Sequence, residues 1–161
     1  VEGIVAGALA VMGTLLGVVV AHRYQEKAFY RAESRAQDQR QHDRLFDRCA
    51  DFIGLSEDYR RAQLDRWLRR HEDPDGEAAT AARTESYRLY VETRSSACRL
   101  KLASNRQDVR ELADQATAVL ELTVAIIATD SRSDMLQRGE AAKHACDAFV
   151  VTANAVLHSQ S

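Results

Sequence analysis

Residues 106–129 read RQDVRELADQATAVLELTVAIIAT, and the positions Val109, Leu112, Ala116, Val119, Thr123 and Ile126 recur at intervals of 3, 4, 3, 4 and 3. That is the period of one face of an α-helix. Ala113, Leu120 and Ile127 widen the stripe, and a stripe this wide has to be covered by other helices. Only one proline and seven glycines occur in the 161 residues. No alternating β-type run is found, so the fold class is all-α.

The neighbouring stretches supply the covering helices. Upstream, a helix over 77–103 places Ala78, Ala82, Tyr87, Tyr90, Val91, Ala97, Cys98 and Leu102 toward one side. Ser104 and Asn105 separate it from the quoted stretch, with Asn105 as a cap and Asp108 three residues on. Before it, Asp73-Pro74-Asp75-Gly76 reads as a turn in which proline fixes φ and glycine accepts positive φ. A further amphipathic segment, 45–71, carries Leu45, Phe46, Cys49, Phe52, Ile53, Tyr59, Leu64, Trp67 and Leu68. Downstream, Asp130–Asp134 is a polar turn, and a helix over 135–158 offers Met135, Ala142, Ala145, Phe149, Ala153 and Val156, with Gly139 weakening its start. Four amphipathic segments with short connections predict an antiparallel up-down four-helix bundle over 45–161.

The N-terminal part is different. Gly3 to Ala21 is nineteen residues without a charge, which as a helix spans roughly 28 Å against the ~30 Å hydrocarbon core of a bilayer. It ends at His22-Arg23-Tyr24, a cation beside an interfacial aromatic. Residues 1–21 therefore read as a transmembrane anchor. A cleaved signal peptide is the alternative, but Glu2 stands where a positive n-region belongs. Arg23, Lys27, Arg31, Arg35 and Arg40 all follow the span. The positive-inside rule then puts the protein in the plasma membrane as a single-pass chain, N-terminus outside and bundle cytoplasmic. Gly3, Gly7, Ala10, Thr14, Gly17 and Ala21 form a stripe of small residues on this helix, a face for packing against a second copy. Residues 22–44 continue as a polar helical stalk rich in Gln, Arg, Glu and Ala.

Chemistry is harder to find. No glycine-rich phosphate loop, Gly-x-Ser-x-Gly elbow or His-Glu-x-x-His pattern occurs. The expectation is a non-enzyme with no cofactor and no metal. Cys49, Cys98 and Cys146 lack Cys-x-x-Cys spacing and fall on three different helices, where they can meet in one core layer as small hydrophobes. Acidic residues number 24 and basic residues 22, so no general electrostatic pull toward nucleic acid exists and such a partner is unlikely. One local exception is Arg60, Arg61, Arg66, Trp67, Arg69 and Arg70, either a docking surface or the cationic last turns of a bundle helix.

Several stretches together carry a family likeness: Val11-Met12-Gly13-Thr14-Leu15-Leu16-Gly17, His22-Arg23-Tyr24-Gln25-Glu26-Lys27, Arg61-Ala62-Gln63-Leu64-Asp65-Arg66-Trp67 and Asp73-Pro74-Asp75-Gly76. The chain resembles short single-pass membrane proteins of Streptomyces and other actinobacteria labelled KilB-type, after plasmid spread proteins. The resemblance implies a membrane protein associated with the spread of conjugative plasmids, and it carries no catalytic motif. The reading is thus a membrane-anchored helical interaction protein that meets an unknown protein partner or itself. The competing reading is a membrane-tethered sensor with a ligand pocket inside the bundle.

Overall fold

The computed structural model describes residues 2–103 and 106–159 and, within the first helix, the side chains of residue 33 and of residues 35 onward. Four helices follow one another: α1 (Glu2–Glu72), α2 (Glu77–Lys101), α3 (Gln107–Ala125) and α4 (Arg132–His158). The chain divides into two compact units, Val1–Gln41 and His42–Ser161. Among the described residues no helix is long and apolar enough to cross a membrane. The anchor expected over 1–21 and its stripe Gly3, Gly7, Ala10, Thr14, Gly17 and Ala21 lie outside the residues whose side chains are described, and so does the Asn105 cap.

Within His42–Ser161 the helices run up, down, up, down. Thr93 Oγ1 donates to Leu55 O at 3.2 Å, and Ser86 Oγ donates to Gln63 Oε1 at 2.9 Å, so α2 recedes as α1 advances. Ser56 lies 3.3 Å from Cys146, Phe52 packs on Phe149 with centroids 4.9 Å apart, and Leu64 faces Gly139, which makes α4 antiparallel to α1 as well. Tyr59 clusters with Leu120 and Trp67 with Ile126, so α1 and α3 are parallel. The core face of α1 is Leu45, Cys49, Phe52, Ser56, Tyr59, Gln63 and Trp67, all buried. Burial of each large apolar member is worth roughly 1.5–3 kcal/mol.

Helix α3 follows its period closely, with Val109, Leu112, Ala113, Ala116, Val119, Leu120 and Thr123 buried. It ends at Ala125, not near 129. There Arg138 of α4 donates to the Ala125 carbonyl at 2.7 Å, and Ile126 turns into a cluster with Trp67, Met135 and Ala142. The orphan carbonyl of the last turn is thus satisfied from outside the helix. Helix α4 begins at Arg132, three residues earlier than expected, because Ser131 caps it by accepting from the Asp134 N–H at 3.3 Å. The 73–76 turn is closed by Gly76 N–H donating to Asp73 O at 3.2 Å. Gly76 adopts φ −70° rather than a positive φ. A Cβ there would press only on the exposed Asp73 carboxylate, which can turn away.

Helix α2 corrects the sequence reading most. Of the residues expected to face the core, Ala82 and Ala97 are buried and Tyr90 is half-buried, but Ala78, Tyr87, Val91, Cys98 and Leu102 are exposed. The buried side is Ala82, Ser86, Leu89, Thr93, Ser96, Ala97 and Leu100. Small and hydroxylic residues win because Gln63 and the Leu55 carbonyl wait opposite them on α1. A buried hydroxyl that finds such partners costs little, and small side chains let the helices approach.

Candidate docking surface

The arginine-rich end of α1 does not form one surface. Trp67 is only 4% exposed. Its Nε1 donates to Thr129 O at 2.6 Å, and its ring stacks on His71 with centroids 3.8 Å apart. The tryptophan therefore pins the α3–α4 connection to α1 and offers no face to a partner: it takes its expected place on the apolar side of 45–71 and not the one in a docking surface. The arginines diverge around the helix, as their spacing requires. Arg60 pairs with Glu57 at 2.9 Å, Arg61 with Asp58 at 3.7 Å, and Arg69 with both Asp65 and Glu72, at 3.3 and 3.1 Å. These are local, mostly exposed i,i+3 and i,i+4 pairs of the kind that stabilise a helix by a few tenths of a kcal/mol. Arg66 and Arg70, four apart, share a side. Arg70 reaches across to Asp130 at 3.3 Å, and the Arg66 guanidinium lies 5.2 Å from the Tyr87 ring centroid.

The interior is closed by its own polar groups. Gln63 donates to the Tyr59 hydroxyl at 2.8 Å and accepts from Ser86, making a buried chain between α1 and α2. Burial pushes the Tyr59 phenol up to about 12 against a smaller opposing effect of the Gln63 hydrogen bond. Cys49 and Cys146 sit in one apolar cluster with Phe52 and Phe149. Burial raises the Cys49 thiol to about 11, and it raises Cys146 as well despite the Ser56 contact. Both are thiols, not thiolates, at neutral pH, so neither is a nucleophile there. Cys98 does not join them; it is exposed on α2. Among the described residues no group of His, Cys, Asp and Glu is placed to hold a metal ion.

Two recesses open along α2 instead. At its start, Arg66 and Arg70 of α1 and Arg83 of α2 line a cleft of about 360 Å³ above Pro74 and Asp75. Nearer its end, Tyr90, Val91, Arg94, Ser95, Cys98 and Arg99 line a groove of about 540 Å³. Sequence reasoning missed Arg83, Arg94 and Arg99, because it assigned the apolar stripe between them to the core. The available signal was the Ser86, Thr93, Ser96 spacing on the opposite side, which marks a second candidate face at helical period.

Residues 46–157, well over half of the chain, match the family model described as KilB plasmid transfer protein. No curated protein matches the chain, and no solved structure does.

Proposed function

This chain belongs to the KilB plasmid transfer protein family, and we propose that it acts in plasmid spread as a non-enzymatic, membrane-anchored helical interaction protein. The observation that carries the interaction reading is the outward face of α2, where Tyr87 and Val91 are each 59% exposed and Leu102 is 84% exposed. Apolar side chains aligned on one side of a helix and left outside a packed bundle are the ordinary mark of a contact surface. The Cys49 and Cys146 region, packed in the same cluster as Phe52 and Phe149, supports this over a ligand sensor, which needs a pocket there. Anchoring rests on the uncharged run Gly3–Ala21 and the cations that follow it. In this reading the bundle faces the cytoplasm, and the stripe Gly3, Gly7, Ala10, Thr14, Gly17 and Ala21 pairs two copies.

Fractionation tests the anchor. The full chain is expected in membranes and resistant to alkaline carbonate, whereas a chain lacking residues 1–21 is expected in the soluble fraction. Recovery of the shortened chain in membranes contradicts the anchor. Deleting the gene from a plasmid-bearing host is expected to reduce plasmid spread, and unchanged spread contradicts the function.

A further inference from the structure

Resting on the interaction reading above, the geometry points to a partner of defined chemistry: we infer that the outward face of α2 docks an acidic amphipathic helix of another protein. The exposed apolar residues Tyr87, Val91, Cys98 and Leu102 are spaced 4, 7 and 4 apart, so they stand in line along one side of the helix. A second helix laid alongside meets them with its own i, i+3, i+4, i+7 anchors, the helix-in-groove mode of recognition. The groove of about 540 Å³ at Val91 and Cys98 receives the central anchors.

Charge selects the partner. Helix α2 carries Arg83, Arg88, Arg94, Arg99 and Lys101 against the carboxylates Glu77, Glu85 and Glu92. Glu85 and Glu92 are both bonded to Arg88, at 2.6 Å each. Arg83, Arg94, Arg99 and Lys101 make no ion pair among the described residues. Arg66 adds a further cation beside Tyr87. A face that alternates aliphatic positions with unpaired cations complements a helix that alternates leucine-like positions with carboxylates.

The same residues argue against the other occupants. A second copy presenting this face brings the same four cations against themselves. Nucleic acid, which is held by its phosphates and by base stacking, has no use for Val91 and Leu102.

A photo-crosslinking residue at Val91 of the full chain, in plasmid-bearing cells, tests the inference, with Val151 on α4, also exposed, as the control position. The expected adduct forms at position 91 and not at 151. Its sequenced peptide should come from another protein and carry net negative charge with apolar residues at helical spacing. Arg94→Glu with Arg99→Glu is expected to lower the yield at least tenfold, whereas Arg94→Lys with Arg99→Lys retains it. An adduct to this chain itself, to DNA or to a segment without net negative charge overturns the inference. So does the absence of an adduct, or a yield indifferent to charge reversal. If deletion of the chain impairs plasmid spread but the charge-reversed chain restores it fully, the docking inference fails while the proposed function stands.

Discussion

Gln63 and Tyr59 show how polar groups are made to serve a bundle interior. Gln63 occupies a heptad position on the buried side of α1 where an aliphatic residue would be ordinary. It is tolerated because its amide donates to Tyr59 and accepts from Ser86, so neither end is left bare. The cost of such burial shows up in titration. Tyr59 and Cys49 are neutral when protonated, and burial holds their protons to about pH 12 and 11, against 10.0 and 9.0 for the free groups. The folded chain therefore keeps protons that the unfolded chain has already lost. The stability involved is complete below about pH 9 and is lost as pH rises through 11 and 12. The loss should be on the order of 2 kcal/mol for each group. Urea midpoints measured from pH 8 to 12 should fall steadily above pH 9. Cys49→Ala should flatten the first part of that decline and Tyr59→Phe the second; identical slopes in all three proteins would contradict the burial argument.

At the level of elements, α1 and α4 come close together at Gly139. A Cβ there would meet Leu64 Cδ2 at 3.2 Å and Cδ1 at 3.8 Å. The first distance is slightly tight, but it involves the tip of a half-buried leucine that can give way. Alanine in place of a mid-helix glycine also gains roughly 0.5–1 kcal/mol in backbone terms. Gly139→Ala is therefore expected to leave stability within about 0.5 kcal/mol of the parent or to raise it slightly. Gly139→Leu forces the two helices apart and should cost about 1–3 kcal/mol. Thermal melts of the two variants check this, and a strongly destabilised alanine variant would mean that Leu64 is locked in place.

For the molecule as a whole, the division at Gln41 and His42 separates the N-terminal part of α1 from the bundle. Among the described residues the apolar clusters lie within residues 45–157. A fragment of residues 42–161 is accordingly expected to fold alone, with helical circular dichroism and a single cooperative urea transition. A broad transition with strong binding of an apolar dye would show that the bundle depends on the preceding helix.

Much of this protein is determined by sequence alone. The period of 106–129 specifies α3, the Pro74–Gly76 turn separates α1 from α2, and the apolar positions of 45–71 and 135–158 supply two more faces of the same core. The match to the KilB plasmid transfer family agrees with the resemblance carried by residues 61–67 and 73–76. These are legible because periodicity and turn chemistry are local properties. Which apolar residues of α2 turn inward was only partly legible, and so was the choice between the two places open to Trp67, because each depends on what stands opposite. Ser86 is buried with its hydroxyl on Gln63, and Thr93 with its hydroxyl between the Leu55 carbonyl and the Leu89 carbonyl of its own helix. Trp67 is buried because Ile126, Met135 and Ala142 pack around its ring and the Thr129 carbonyl is within reach of its indole. A sequence lists the donors and acceptors, but which of them meet is decided by tertiary structure. That pairing leaves Tyr87 and Val91 on the outward side of α2.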